Sequence, residues 1–127
     1  MIVVDTSVWI SVLRYPESAH AATLSALLDA DEVALPAPVR SELLMGTPEQ
    51  SRTRLAAALS ALPVLYPTEA TWHRLDAWAA HARRQGASCG LVDLLIGVLA
   101  EELGALVWSL DSDFTRLGAL NLVQPFR

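Results

Sequence analysis

Short apolar runs alternate with helix-forming segments along the whole of this 127-residue sequence. The first run is Ile2 to Val4, and the later ones are Val33 to Leu35, "PVLYP" and "ALVWSL". Between them, apolar residues recur every three or four positions, which is typical of a helix with one buried face. Neighbouring strands that are separated by helices are joined by crossover connections, and this favours parallel pairing. The sequence therefore predicts an α/β fold, with a short, central, mainly parallel β-sheet flanked by α-helices.

Residues that cap or break helices predict where the helices begin and end. The expected helices start at Thr6 or Ser7, Glu17, Pro38, Glu49, Thr68, and Ser88 or Gly90. The helix from Glu49 is expected to reach Leu62, and the one after Thr68 to bury Trp72, Leu75, Trp78, Ala79 and Ala82. The segment "LNLVQP" is a candidate fifth strand. Because no linker, repeat or low-complexity tract interrupts this order, residues 1–127 are predicted to form a single domain.

The composition excludes several classes of protein. Nine arginines and no lysine stand against fourteen acids, so a net charge of -5 does not favour binding to polyanions over the whole surface. Any contact with nucleic acid must then be local. The chain shows no basic leader and no apolar run long enough to span a membrane, and its lone Cys89 fits a reducing compartment. We therefore expect a cytoplasmic protein.

Four carboxylates occur where a solvated acid is not expected. Asp5 directly follows the first predicted strand, and Asp111 follows the fourth. Glu42 and Asp93 lie on predicted helices, and their neighbours three and four positions away are apolar or small, so the helix face of Glu42 is expected to point inward. In sheets of this kind, ligands bind beyond the carboxyl ends of the strands. The pattern predicts that acids gather at that edge.

Converging acids of this kind need a counter-charge. A charge in apolar surroundings is costly unless it is paired or bound to a metal, and no arginine is spaced locally to neutralise these acids. Either arginines reach these acids from distant parts of the chain, or a bound divalent cation supplies the missing charge. For a cation, oxygen ligands without His or Cys favour Mg²⁺ or Mn²⁺ over zinc. The alternative is purely structural. In that interpretation Asp5 caps a helix, Asp93 is bonded to a hydroxyl, and Asp111 with Asp113 forms a turn.

The acids also lie in motifs that resemble those of a known family. The segments "VVDTSVWI", "RSELLMG", "LVDLLIGVLA" and "VWSLDSDF" are similar, in order and spacing, to the four acidic motifs of PIN-domain ribonucleases, specifically the VapC toxins of bacterial toxin-antitoxin pairs. The resemblance covers nearly the whole chain. It implies a catalytic Mg²⁺ or Mn²⁺ site made of Asp5, Glu42, Asp93 and Asp111. It also implies supporting roles for Thr6, Ser109 and Asp113.

The resemblance further implies an activity and partners. The expected reaction is metal-dependent endonucleolytic hydrolysis of cellular RNA, which leaves a 5′-phosphate and a 3′-hydroxyl and inhibits growth. The expected partners are RNA, a small VapB-like antitoxin whose C-terminal segment lies across the cleft, and a second copy of the chain in a homodimer. The arginines that could hold RNA phosphates are Arg14, Arg40, Arg52, Arg54 and Arg116.

Other enzymes that place an acid after the first strand fit less well. Haloacid-dehalogenase phosphatases and response-regulator receivers need a lysine that this chain lacks, and no Gly-Lys-Ser or Gly-Lys-Thr is present to form a P-loop. Two alternatives stay open. One is a PIN nuclease in RNA processing that has no antitoxin, and the other is a non-catalytic PIN-like interaction module.

Overall fold

The computed structural model describes residues 1–127 and contains four strands and seven helices. In chain order these are β1 (Ile2–Val4), α1 (Thr6–Arg14), α2 (Ala19–Asp29), β2 (Val33–Pro36), α3 (Ala37–Met45), α4 (Glu49–Leu59), β3 (Val64–Leu65), α5 (Glu69–Arg84), α6 (Leu91–Leu103), β4 (Leu106–Trp108) and α7 (Ser112–Ala119). The strands form one sheet in the order β3-β2-β1-β4, and every neighbouring pair is parallel. The predicted α/β fold with a central parallel sheet is confirmed.

The register of the sheet brings β1 and β4 together at their carboxyl ends. Val4 pairs with Trp108, and the Asp5 N–H donates to the Trp108 carbonyl oxygen at 2.9 Å. The residues that directly follow these two adjacent strands, Asp5 and Ser109, are consequently neighbours. This placement positions the candidate site described below.

A single cluster of 26 buried hydrophobic residues lies on the sheet and beneath the helices. β1 and β2 are buried along their whole length, as expected for strands covered on both faces. From Leu94 to Ala100 every residue of α6 is buried. Gly97 allows this close approach, because a Cβ at that position would lie 3.1 Å from both Trp78 and Val123.

Several predicted bounds need correction. α2 begins at Ala19 and is capped by the Ser18 hydroxyl, and α4 ends at Leu59 instead of Leu62. The candidate fifth strand reduces to one parallel bridge between Val107 and Pro125. The "DSD" segment forms more than a turn, because Asp111 caps the eight-residue helix α7.

The prediction for α5 is correct at its start and wrong for one side chain. Thr68 and Thr71 form a reciprocal capping box there. Trp72 is 42% exposed, although it was expected on the buried face with Leu75 and Trp78. No helix of the chain is both long enough and apolar enough to cross a membrane.

Candidate metal centre

Asp5 is buried at the end of β1 and is held by hydroxyl groups. Only 4% of the residue is exposed. Its Oδ2 accepts hydrogen bonds from the Ser7 hydroxyl at 2.7 Å and the Ser109 hydroxyl at 2.8 Å, and from the Ser7 N–H at 3.4 Å. Its Oδ1 accepts no hydrogen bond. One carboxylate oxygen of a nearly buried acid therefore remains available to a ligand.

The same two hydroxyls fix the loop after β4. The Ser7 Oγ accepts the Leu110 N–H at 3.0 Å, and the Ser109 Oγ accepts the Asp111 N–H at 2.9 Å. Since both hydroxyl protons are donated to Asp5, the 3.3 Å contact between Ser7 and Ser109 adds no independent hydrogen bond. The sequence predicts only a helix-capping role for Ser7. The signal for its further role was its position two residues after a strand-ending acid.

Asp93, Asp111 and Asp113 form a second group of acids, which we call the aspartate cluster. One carboxylate oxygen from each lies within 4.8 Å of the others. Asp93 comes from the first turn of α6, Asp111 caps α7, and Asp113 lies in the first turn of α7. The capping bond runs from the Asp113 N–H to the Asp111 Oδ1 at 2.9 Å. The starts of two helices thus bring these acids together.

The aspartate cluster changes the acidity of its members. Burial, a hydrogen bond with Asp113 and the negative charges of Asp111, Asp5 and Asp113 together raise the pKa of Asp93 to about 7, and burial is the largest cause. The hydrogen bond with Asp93 lowers the pKa of Asp113, and the Gly90 N–H and Arg116 act in the same direction against the effect of burial. Asp93 is consequently the member that holds a proton, and Asp113 is the acceptor.

Positive charge near the aspartate cluster is scarce. Arg116 forms an ion pair with Asp113, and it is the one arginine in contact with any of these acids. The Gly90 N–H, at the start of α6, lies 3.5 Å from the other oxygen of Asp113. A single guanidinium leaves most of the negative charge of Asp5, Asp111 and Asp113 without a partner.

Glu42 is not where the sequence predicts it. The residue is exposed and its Oε1 accepts a hydrogen bond from the Thr6 hydroxyl at 2.8 Å. Met45, three residues further along α3, is 82% exposed, so this face of the helix does not point inward. The helix packs through Val39 and Leu43 instead. Glu42 and Asp5 lie outside the aspartate cluster, although Thr6 links Glu42 to the residue next to Asp5.

The donors present suit a hard divalent cation. All of them are oxygens, the carboxylates outnumber the nearby cations, and Asp5 Oδ1 has no partner from the protein. Mg²⁺ and Mn²⁺ prefer carboxylate oxygen ligands and would replace the missing positive charge. The residues therefore fit the metal that the sequence motifs suggest.

This fold and these acids define a class of protein. Residues 2–120 match the PIN domain family, and the chain belongs to that family. Within it, the chain is 30% identical over 129 aligned positions to VapC ribonuclease Mb1587 of Mycobacterium bovis, with 98% of this chain and 96% of the relative covered. The same identity and coverage hold for Ribonuclease VapC11 of Mycobacterium tuberculosis. The resemblance to VapC proteins that the motifs suggest is confirmed.

Solved structures agree with this assignment. VapBC-1 from nontypeable Haemophilus influenzae superposes with a TM-score of 0.78 at 25% identity, covering 99% of this chain and 97% of that one. VapBC2 from Rickettsia felis, in a complex with a promoter DNA fragment, gives a TM-score of 0.81 at 19% identity, covering 99% and 98%. The second likeness concerns the fold alone.

Proposed function

We propose that this protein is a Mg²⁺- or Mn²⁺-dependent endoribonuclease that acts as the toxin of a toxin-antitoxin pair. The observation that carries the proposal is the aspartate cluster beside the buried Asp5, at the carboxyl edge of the sheet. The names of the VapC ribonucleases to which the chain is similar support RNA as the substrate.

Asp5, Asp93 and Asp111 would hold the cation, with Asp113 and Glu42 in support. When bound, a divalent cation lowers the pKa of a water molecule and stabilises negative charge on the phosphate and on the leaving oxygen. The expected products carry a 5′-phosphate and a 3′-hydroxyl.

The protein groups prepare this site in separate ways. Ser7 and Ser109 satisfy Asp5 Oδ2, which fixes the carboxylate and keeps Oδ1 free of protein donors. Asp93 must lose its proton before it can bind a cation. Until then, the Asp113 carboxylate accepts a hydrogen bond from the protonated Asp93. Arg116 holds the Asp113 carboxylate in place through an ion pair.

The test is cleavage of RNA by the purified protein. Total RNA is incubated with the protein in Mg²⁺ or Mn²⁺, with EDTA as one control and the Asp93→Asn variant as another. The matched variant is Asp76→Asn, which alters an exposed acid of α5 outside the site. We expect discrete cuts with 5′-phosphate ends from the wild type and Asp76→Asn. Loss of Asp93 should lower the rate at least about a hundredfold, since metal ligands stabilise the transition state by several kcal/mol.

Two results would contradict the proposal. Cleavage that persists in EDTA and in Asp93→Asn would indicate a contaminating nuclease. An absence of cleavage in several RNA pools would favour the non-catalytic interaction module.

The toxin role requires a partner as well as an activity. The structures named VapBC that this fold resembles are the basis for proposing a VapB-like antitoxin, and an acidic cleft suits a basic segment of such a protein. Expression in the cytoplasm should arrest growth, and a small reading frame beside this one should encode the protein that relieves the arrest. Growth arrest that Asp93→Asn does not abolish would contradict the toxin role.

We also expect a homodimer, which light scattering would detect.

A further inference from the structure

A cleft of about 660 Å³ lies beside the candidate metal centre, between α7 and the segment 121–127. Two residues of the metal centre, Ser109 and Asp111, line its near side. The volume falls within the range of sites that bind small molecules. A group bound in this cleft would therefore lie next to the position where the proposed reaction occurs.

The lining of the cleft combines apolar residues with polar and charged ones. Val107, Pro125 and Phe126 are among the apolar lining residues, and Asn121, Gln124 and Arg127 are among the polar ones. Each amide offers both a donor and an acceptor. Apolar residues together with hydrogen-bond donors and acceptors suit a nucleobase, which stacks through its faces and forms hydrogen bonds along its edge.

The segment 121–127, which lines one side of the cleft, is hydrogen-bonded to β4. The Val107 N–H donates to the Gln124 carbonyl oxygen, and the Phe126 N–H donates to the Val107 carbonyl oxygen, each at 2.8 Å. The ring of Phe126 packs against Trp108 with 5.3 Å between centroids. Because Trp108 directly precedes Ser109, the cleft and the metal centre share one rigid strand.

We propose that this cleft binds the base of the nucleotide next to the scissile phosphate, and that the amides of Asn121 and Gln124 select which base is accepted. The inference rests on the proposed nuclease function and deepens it, because it assigns a specificity-determining site for the same RNA strand. In this proposal the acids of the metal centre act at the phosphate and do not contact the bases. Amide side chains, in contrast, can distinguish the donors and acceptors on base edges.

Gly118 offers a way to close the cleft. It lies on α7 and lines the cleft, and a Cβ there would meet only Pro125, at 3.9 Å and 4.0 Å. Gly118→Ala therefore fits at ordinary contact distance and leaves the cleft open. Gly118→Leu extends into the cleft, and both substitutions raise the helix propensity of α7, so loss of folding is not the expected consequence.

The cleavage experiment compares base preference at each position around the cut in a randomised RNA pool. We expect the wild type and Gly118→Ala to share a preference at one position adjacent to the cut. Gly118→Leu should lose this preference, so that the cleavage rates with the four bases at that position differ by about twofold or less, which corresponds to about 0.4 kcal/mol. Gln124→Ala should change the preferred base, and Gln50→Ala, an exposed glutamine of α4, should not. An unchanged preference in Gly118→Leu and Gln124→Ala, or no preference in the wild type, overturns the proposal.

A binding measurement separates failure of the cleft from failure of the nuclease. The four 5′-nucleoside monophosphates are added to ¹⁵N-labelled protein at about 10 mM, which is tenfold above a millimolar Kd. We expect shifts in the side-chain amide signals of Asn121 and Gln124 in the wild type and Gly118→Ala, and none in Gly118→Leu. If RNA is not cut but these shifts occur, the nuclease proposal fails while the nucleotide site stands. If no nucleotide shifts these signals, the cleft proposal fails whatever the activity.

Discussion

Asp5 and Asp93 lie at the same edge of the sheet, but their carboxylates have different hydrogen-bond partners. Asp5 is the more buried of the two, and its Oδ2 accepts three hydrogen bonds from Ser7 and Ser109. Asp93 is half-buried, and its hydrogen-bond partner is the acid Asp113. Asp5 is thus held by hydrogen-bond donors, whereas burial and the neighbouring acids raise the pKa of Asp93.

The difference separates a structural role from a ligand-dependent one. The hydroxyl network around Asp5 also binds the N–H groups of Leu110 and Asp111, so it contributes to folding without a cation. The aspartate cluster has no hydroxyl donors, and Arg116 is its one cationic partner, so it gains most from an added positive charge. We therefore expect variants of the aspartate cluster to lose stabilisation by metal, and variants of the hydroxyl network to lose stability even without metal.

The largest expected effect is stabilisation by a divalent cation. Mg²⁺ or Mn²⁺ at about a hundredfold above its Kd should raise the free energy of unfolding by about 2.7 kcal/mol, because it binds the folded state. Asp93→Asn should lose most of this gain, and Asp76→Asn should keep it. Thermal unfolding with and without EDTA measures the effect. Equal stabilisation of Asp93→Asn and wild type would show that the cation binds elsewhere.

Removal of a hydroxyl from the Asp5 network should cost stability even in EDTA. Ser7→Ala deletes a donor to Asp5 and the acceptor of the Leu110 N–H, which should lower the free energy of unfolding by about 1 to 3 kcal/mol. Urea unfolding measures this cost. Ser11→Ala is the matched control, since its hydroxyl lies on the same helix and forms no hydrogen bond. A Ser7→Ala variant as stable as Ser11→Ala would remove the structural role of the network.

The aspartate cluster should give the metal-free protein an unusual pH dependence. The pKa of Asp93 is raised to about 7, above the value of about 3.9 for an unfolded chain. Between these values the folded state binds more protons than the unfolded state, so the contribution of Asp93 to stability falls as the pH rises from about 4 to about 7. Urea unfolding in EDTA at pH 5 and pH 8 measures it. Asp93→Asn should lose less stability over this interval than wild type, and equal losses would contradict the assignment.

The smallest effect should come from the exposed pair of Thr6 and Glu42. Thr6→Val keeps the side-chain shape and deletes the hydrogen bond to Glu42, at a cost below about 1 kcal/mol because the pair is exposed to solvent. The rate of RNA cleavage should fall about fivefold or less, which single-turnover assays can measure. A cost equal to that of Ser7→Ala would mean that Glu42 belongs to the same network as Asp5.

Much of the fold followed from local sequence. β1 and the capped start of α5 were predictable because β-branched runs and capping residues act on their immediate neighbours. The end of α6 at Gly104 was predictable for a similar reason, since its φ of 71° favours glycine. Helix α7 was missed because a single short turn and a short helix begin with the same Asp-rich pattern.

The sequence predicts which acids belong to the candidate site, but it does not predict how they are arranged. The spacing along α3 gave Glu42 apolar neighbours, yet tertiary packing covers the face of Val39 and Leu43 and leaves Glu42 and Met45 exposed. Ser7 acquires its second role through Leu110, which is 103 positions away in sequence. Contacts of this range depend on strand order and register, which no local pattern specifies.

The bridge between Val107 and Pro125 has a consequence for the solubility of the fold. β4 is the last strand on its side of the sheet, and an unpaired outer strand can recruit a strand from another molecule. Here both the N–H and the carbonyl of Val107 are already bonded to the segment 121–127. Pro125 has no N–H to offer in turn. The chain thus protects one border of its sheet from edge-to-edge aggregation with a segment too short to count as a strand.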